Sequence, residues 1–377
     1  MDGGRPAEIE IGVTGPFTGT PAHLGREMRQ AAQLAVDEVN AAGGVHGNPV
    51  VAVTADDRGR PEAGAEVARA FRARAALLGV VGPDNSNVAL DTAPIYRDAD
   101  LAMVHPIVSH PALTERRMSN VFRLTNRDDV TARAIASYLR RERGKSHCAV
   151  VETATTYGRS MAAEFVRAFT ALGGEVRQRY TVEEGDTDFA PLVRRLPAEL
   201  DLVFYGGSFE GAGIVTAMRS AGLSQLFATG DGCWDRAAFL EPAGRAAAQG
   251  EGALVLAASP ATGHVPGSAE FAHHYERRFG PIGNYAVNSY DAARLLLAAV
   301  AAVTRDAGGV PDRRRTLEAV RAIEFRGIAY PEPTRWDAAG DNLATGTFLN
   351  TVVDGRFQQV AAVPRQDRVE PAGDNRA

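Results

Sequence analysis

The feature that most constrains the fold is an alternation of short apolar runs with longer segments of helical periodicity. The run EIEIGVTG (8–15) precedes a helical segment at 26–44, and PVVAVTADD (49–57) precedes another at 61–74, which begins with proline. The alternation continues to LAMVHP (101–106). This order is typical of parallel βαβ units. Because such crossovers are right-handed, the first third of the chain predicts one three-layer lobe.

The same pattern restarts at NVFRLTN (120–126) and continues to LFATGDG (226–232). Three helical segments then follow GALVLAAS (252–259) without a clear strand between them, so we expect this part to return to the first lobe. A hairpin is predicted around Asp354-Gly355, pairing with the second lobe. Several crossings between two lobes favour a hinge rather than a single linker.

The predicted fold class is therefore α/β, with two doubly wound αβα lobes joined by a hinge. The expected division is an N-terminal lobe of 8–121 plus 253–330 and a C-terminal lobe of 122–252 plus 331–365. We expect 1–7 and 366–377 to be disordered tails.

Composition and charge narrow the function classes. The chain has 377 residues, 45% of them hydrophobic, and a formal net charge of -5. It has no basic stripe for phosphate backbones, which argues against nucleic acid as a partner. No apolar window approaches the roughly 20 residues of a membrane-spanning helix, and the first residues lack a secretory signal. A cytosolic protein has these features, and so does a secreted one without its leader.

Catalytic and metal motifs are weak or missing. No G-x-G-x-x-G follows the first strand, and no glycine-rich turn ends in Gly-Lys-Ser/Thr. GGSFEG (206–211) comes near a hydrolase elbow at Ser208, but Glu210 occupies the position of the last glycine, so an ordinary turn is favoured. Cys148 and Cys233 match no metal motif, and two buried thiols are favoured over a disulfide.

Polar residues cluster where the predicted strands end. In GPDNSN (82–87), Ser86 can either cap the following helix or bind an anion together with backbone amides. Ser109 follows the next strand of the same lobe, while Tyr157, Ser208 and Asp231 follow strands of the other. Ligands of doubly wound sheets bind outside these carboxyl ends. Hydroxyls for a carboxylate and Asp231 for an ammonium together predict a zwitterion site.

Several segments resemble one family over nearly the whole chain. VDEVNAAGGVHGNPV, GVVGPDNSNVALDTAPIY, HPIVSHPALT and YGRSMAAEF resemble the leucine/isoleucine/valine-binding class of periplasmic substrate-binding proteins, which serve ABC importers. The resemblance implies the Venus-flytrap architecture of type I periplasmic binding proteins, two lobes joined by three crossovers with an amino-acid-like ligand between them.

The resemblance also implies roles for individual residues. Ser86 and Ser109 match the hydroxyls that bind the ligand carboxylate, and Val108 supplies backbone polar groups. Asp231 stands at the position of the acidic group for the ammonium. Aromatic contacts are implied for the following two residues: Tyr157 and Tyr285.

The chain departs from the family pattern on one wall of the implied pocket. Leu24 and Ser208 replace frequent aromatics, and Asp84 and Asn85 add polar groups. Leaving such groups unpaired against a methyl surface costs about 1 to 3 kcal/mol each, which argues against a plain aliphatic ligand.

Three function classes follow from these patterns. The first is a binding protein without catalysis or cofactor that delivers an amino acid or related carboxylate to a membrane permease, in the periplasm or as a lipid-anchored extracellular protein. The second is a cytosolic ligand sensor of the same fold that controls a partner protein. The third, a hydrolase, rests only on the imperfect elbow at Ser208.

Overall fold

The computed structural model describes residues 7–19, 22–197, 199–261, 263–307 and 309–364. The expected disorder of 366–377, and of 1–7 except Ala7, lies outside these residues.

The first βα series contains strands and helices close to those that the periodicity predicts. In chain order they are β1 Ile9–Gly15, α1 Ala22–Ala41, β2 Val50–Asp56, α2 Pro61–Ala73, β3 Leu77–Val81, α3 Ser86–Arg97, β4 Ala102–His105, α4 Ala112–Glu115 and β5 Val121–Arg123.

The second series repeats the alternation. It comprises α5 Asp128–Arg141, β6 His147–Thr153, α6 Thr156–Ala171, β7 Glu175–Val182, α7 Ala190–Val193, β8 Leu202–Gly206, α8 Gly211–Ser220, β9 Leu226–Thr229, α9 Glu241–Ala243 and β10 Ala253–Ala257. Short 3₁₀ or π turns at Asp231–Cys233, Arg236–Leu240 and Gly244–Ala248 lie between β9 and β10. The remaining elements are α10 Ser268–Phe279, α11 Ala286–Ala307, α12 Arg313–Ala322, β11 Gly346–Val353 and β12 Arg356–Pro364.

Strand order shows that the two series fold alike. The first sheet has five strands in the order β2-β1-β3-β4-β5, all parallel. The second has seven strands in the order β12-β11-β10-β9-β8-β6-β7. Without its antiparallel hairpin, the second sheet has the order β7-β6-β8-β9-β10, which repeats that of the first. The prediction of two doubly wound αβα lobes is therefore confirmed.

Strand pairing shows that the first two lobe boundaries differ from the predicted ones. Strand β5 pairs with β4, so the chain leaves the first sheet after Arg123 rather than at 121. Strand β10 pairs with β9, so residues 253–257 belong to the second sheet and the chain returns to the first lobe only after Ala257. Both strands are too short for sequence periodicity to assign them to a sheet.

The third boundary also differs from the prediction, because residues 331–345 pack on the first lobe. Trp336 packs against Phe122 in a tilted arrangement, with ring centroids 5.3 Å apart. Asp341 forms an ion pair with Arg123, at 2.9 Å between Oδ1 and Nε. The final crossing therefore lies next to the start of β11 at Gly346.

The predicted hairpin is confirmed, and its turn has a clear backbone cause. Asp354 and Gly355 both have positive φ, at 49° and 70°. Positive φ at both central residues is the geometry of the tight turn that suits the twist of antiparallel strands. The hairpin extends the second sheet, as the sequence predicts.

Within the described residues, one helix is long and apolar enough to cross a membrane, contrary to the expectation from the sequence. It is the 286–304 part of α11, and 72% of that stretch is buried inside the protein. Its apolar side chains, among them Leu295, Leu296 and Val300, belong to the core that α1 and β1 also build. Burial of this kind identifies a core helix of the first lobe.

Candidate functional site

A cleft of about 580 Å³ lies between the lobes, where the strands of both sheets end. Both lobes contribute to its walls. Every site residue predicted from the sequence lines this cleft: Leu24, Asp84, Asn85, Ser86, Val108, Ser109, Tyr157, Ser208, Asp231 and Tyr285. The fold thus brings these side chains together, while their role in binding stays a prediction.

The turn from β3 to α3 places Ser86 at the cleft. Gly82 begins this turn with a φ of 102°, and a Cβ there would lie 2.1 Å from the Thr14 carbonyl oxygen, so only glycine fits. Asn85 occupies the N-cap position without a side-chain cap hydrogen bond, and Ser86 is the first helical residue. Ser86 is therefore not the cap, one of the two alternatives that the sequence left open.

A buried arginine holds the loop that carries Ser109. Arg123 Nη1 donates hydrogen bonds to the carbonyl oxygens of Val108 and His110, each at 3.0 Å. The Arg123 side chain is fully buried and its Nε donates to Asp341. Because the carbonyls on both sides of Ser109 are fixed in this way, the position of its hydroxyl depends on Arg123.

Asp231 lies on the opposite wall within a network of tyrosine hydroxyls. Tyr157 donates to Asp231 Oδ1 at 2.7 Å, and its hydroxyl oxygen accepts from the amide of Gly232 at 2.9 Å. Tyr285 donates to the Asp231 carbonyl oxygen at 2.6 Å. Burial raises the pKa of the Asp231 carboxyl, and the Tyr157 hydrogen bond lowers it in part. No ion pair involves Asp231 within the described residues, so its carboxylate is available to a cationic ligand group.

A second buried acid, Asp128, lies beside this network and was not found from the sequence. It is the first residue of α5, and Ser160 donates to its Oδ2 at 2.8 Å. Burial and the charge of Asp231 raise its pKa to about 7, while a hydrogen bond from Ser109 lowers it in part. Asp128 therefore links Ser109 of the first lobe to Ser160 of the second.

The first lobe contains a further group of buried acids, of which Asp84 lines the cleft. Burial is the largest cause of a raised pKa at Glu27 (about 8), Asp84 (about 7) and Asp57 (about 6). Mutual repulsion adds to these shifts, since Asp57 acts on Asp84, and Asp84 on Glu27. The group thus holds protons near neutral pH that the same residues release in an unfolded chain.

This burial predicts that the ligand-free protein loses stability as pH rises from 6.5 to 8.5. A carboxyl with a raised folded-state pKa contributes stability that is complete below its unfolded value and is lost as pH passes the folded value. Glu27, Asp84 and Asp128 titrate in this window, whereas His105, whose pKa burial lowers to about 3, stays neutral in it. We expect the free energy of unfolding to fall by about 2 to 4 kcal/mol over the window.

Urea unfolding of the ligand-free protein at several pH values measures this effect. Glu27→Gln removes the group with the highest carboxyl pKa of the three and is expected to flatten the profile above pH 7.5. An unfolding free energy that stays constant or rises from pH 6.5 to 8.5 contradicts the prediction.

Several cleft residues were missed by sequence reasoning. They are Gly19, Arg58, Gly59, Arg60, Asn87, Ile107, Thr153, Ala154, Thr155, Thr156, Glu184, Gly185, Phe209, Glu210 and Gly232. Thr155 could have been found from the sequence, because a threonine between a strand and a helix is a favoured N-cap residue. In the structure its hydroxyl oxygen accepts a hydrogen bond from the Gly158 amide at 3.0 Å. The N-terminus of α6 therefore faces the cleft as that of α3 does.

Glu210, which replaces the last glycine of the hydrolase elbow motif, connects several parts of the second-lobe wall by hydrogen bonds. Its Oε2 accepts from Tyr205 at 2.8 Å and from Thr153 at 3.2 Å, and its Oε1 accepts from the amide of Gly185 at 2.8 Å. Glu210 thereby fixes the loop after β7 against the loop after β8. Ser208 forms no hydrogen bond with a histidine in the part of the chain that the structure describes.

Direct contacts join the lobes along one side of the cleft. His23 of α1 lies 3.3 Å from Asp235, measured from Nε2 to Oδ2, and packs edge-on against Phe209 at 5.6 Å between ring centroids. Asn284 donates to the Trp234 carbonyl oxygen at 2.5 Å. These contacts hold the two cleft walls in a fixed position relative to each other. Among the described residues, no group of three or more histidine, cysteine, aspartate or glutamate side chains is arranged to hold a metal ion.

Comparisons with known proteins agree with this architecture. The family model described as periplasmic binding protein matches residues 8–356. A curated relative from Brucella abortus, Leu/Ile/Val-binding protein homolog 2, is 32% identical over 62% of this chain. The match spans 63% of that relative's own length, so the relative's whole activity does not transfer directly.

Two solved structures match over almost their full length. A leucine-binding protein from Thermotoga maritima is 25% identical with a TM-score of 0.82, covering 94% of this chain and 99% of its own. A substrate-binding protein of an ABC transporter from Desulfitobacterium hafniense, solved in complex with leucine, is 27% identical with a TM-score of 0.76, covering 94% of this chain and 100% of its own.

Proposed function

The chain belongs to the periplasmic binding protein family, and on this premise we propose that it binds a free amino acid, or a small carboxylate related to one, between its lobes. We further propose that it delivers this ligand to the membrane permease of an ABC importer outside the cytoplasm. One observation carries the proposal: hydroxyls at a helix N-terminus line one wall of the cleft, and a buried carboxylate lines the other.

The first-lobe wall suits a carboxylate. Ser86 and Ser109 supply hydroxyl donors, and the first turn of α3 supplies backbone N–H groups that the helix itself leaves unpaired. The partial positive charge at a helix N-terminus adds to the attraction for an anion. A ligand carboxylate placed here exchanges its hydrogen bonds with water for hydrogen bonds from these fixed donors.

The second-lobe wall suits an ammonium. Asp231 is buried, and its hydrogen bond from Tyr157 holds the carboxylate in one orientation. An ammonium at this point gives a charge-assisted hydrogen bond, which is stronger than a neutral one. The names of the relatives, which refer to leucine, isoleucine and valine, support an α-amino acid as the ligand class.

A ligand held by both walls favours the arrangement in which the lobes are together. It shifts the equilibrium between open and closed forms only by its extra affinity for the closed one. Contacts such as His23 with Asp235 already join the lobes on one side, so the ligand adds a second connection across the cleft. The closed form then presents the surface that a permease recognises.

Ser86→Ala tests the carboxylate end of this site. Loss of a hydroxyl that donates to a charged group is expected to weaken amino-acid binding by about 10- to 100-fold. Isothermal titration calorimetry with a panel of amino acids and small carboxylates measures the change. Ser119→Ala, at an exposed serine of the same lobe, is the matched control and is expected to bind as the wild type does. Equal affinity of both variants contradicts the assignment of Ser86.

A further inference from the structure

Asp84 is an acidic side chain on the cleft wall that the zwitterion site does not use. It is only 7% exposed, and its side chain lines the cleft. Within the described residues it forms no hydrogen bond and no ion pair. A buried carboxyl without a partner is costly, so its orientation into the cleft indicates a partner that comes from the ligand.

Among the described residues, no arginine or lysine forms an ion pair with Asp84. Burial is the largest cause of its raised pKa, and the charge of Asp57 adds to it. The imidazole of His23 lowers that pKa in part, and its Nε2 lies 3.3 Å from Asp235 Oδ2. In this corner of the cleft, Asp84 therefore has no cationic partner of its own within the described part of the chain.

Asn85 adds an acceptor to the same corner. Its Oδ1 is buried and has no hydrogen-bond partner among the described residues. A carboxyl and an amide oxygen on adjacent residues together offer acceptors and no fixed cation. Such a pair is matched by a ligand group that carries several N–H donors.

This corner and the ammonium site are distinct parts of one cleft. Tyr285 lines the same cleft, and its hydroxyl donates to the Asp231 carbonyl oxygen. Burial, followed by the charges of Asp231, Asp235 and Asp84, raises the pKa of that hydroxyl. Leu24 and Phe209 line the same cleft and offer apolar surface to the hydrocarbon part of a ligand side chain.

We infer that the ligand carries a second cation at the end of its side chain, bound by Asp84 and Asn85, and is therefore a basic amino acid. This inference rests on the proposed function, because the zwitterion site fixes the α-ammonium and α-carboxylate. Arg58 and Arg60 also line the cleft, but both are exposed, so an ion pair with either of them is screened by water and contributes less than one with the buried Asp84.

Matched ligands separate the side-chain cation from the rest of the molecule. Lysine and norleucine share a hydrocarbon chain and differ in the terminal ammonium, and arginine and citrulline differ in the charge of the terminal group. We expect calorimetry on the wild-type protein to show lysine or arginine binding about 10- to 100-fold more tightly than its uncharged match.

Asp84→Asn tests whether this preference comes from Asp84. The substitution is expected to bring the ratio of lysine affinity to norleucine affinity close to one, because the carboxylate that binds the side-chain cation is gone. Asp91→Asn, at an exposed aspartate of α3, controls for the change in net charge. If Asp84→Asn fails to fold, the ligand pairs on the wild type still decide the question.

The outcomes distinguish the inference from the proposed function. Equal or tighter binding of leucine, norleucine or glutamate than of lysine and arginine overturns the inference and leaves the proposed function in place. A preference for basic ligands that Asp84→Asn does not change overturns the role of Asp84. Binding of no amino acid at all overturns the proposed function itself.

Discussion

Replacement of Asp231 by asparagine is expected to raise the dissociation constant of the amino-acid ligand by about 30-fold or more, the largest effect on binding that the structure predicts. Asparagine keeps the size of the side chain and can still accept the Tyr157 hydrogen bond. It removes the negative charge, so the ligand ammonium is buried without a counter-ion. That uncompensated charge is the source of the loss.

Calorimetric titration of the purified variant measures this loss. Asp91→Asn removes an exposed charge from α3 and is expected to bind ligand as the wild type does. Thermal unfolding of the ligand-free variants checks that both are folded. An Asp231→Asn protein that is folded and binds with wild-type affinity places the ligand ammonium elsewhere.

Replacement of Arg123 by methionine is expected to lower the free energy of unfolding by about 3 to 5 kcal/mol, the largest effect on stability. The variant loses the ion pair with Asp341 and the hydrogen bonds to the Val108 and His110 carbonyl oxygens in a fully buried position. These groups stay buried while the guanidinium that satisfies them is gone, which makes the loss large.

Urea unfolding of the variant and the wild type gives the difference in free energy. Arg97→Met removes an exposed arginine whose ion pair is with the adjacent Asp98, and it is expected to change the unfolding free energy by less than about 0.5 kcal/mol. A similar, small change in both variants contradicts the structural role of Arg123. Because Arg123 also fixes the loop of Ser109, a folded Arg123→Met protein is expected to bind ligand more weakly.

The two lobes and the site residues at strand ends follow from local sequence patterns, whereas Leu24, Val108 and Tyr285 were implied only by the family resemblance. Strand ends are readable from periodicity, and in a parallel sheet the carboxyl ends of the strands meet at one edge. Residues such as Ser86 and Ser109 could therefore be placed at a common cleft without knowledge of any contact. The hairpin at Asp354-Gly355 could also be predicted from the sequence, because the Asp-Gly pair itself favours a tight hairpin turn.

Other features depend on contacts between distant parts of the chain. The three-residue strand β5 and the segment that carries Asp341 are fixed by their pairing with the first lobe, and no periodicity shows this. Asp128 is the first residue of α5, and its burial beside Asp231 comes from the packing of the two lobes, which no local pattern shows. In the sequence, Glu210 is a departure from the elbow motif. Its hydrogen bond from the amide of Gly185, which lies in another loop, cannot be inferred from that motif.

The central claim is that the interlobe cleft binds a free amino acid, and a thermal-unfolding screen of the twenty common amino acids tests it most directly. A ligand that binds only the folded protein raises the melting temperature in proportion to the logarithm of its concentration. We predict that at least one amino acid raises the melting temperature of the wild type by several degrees and that the Asp231→Asn protein shows little or no rise. No rise with any amino acid, or an equal rise in both proteins, would contradict the account.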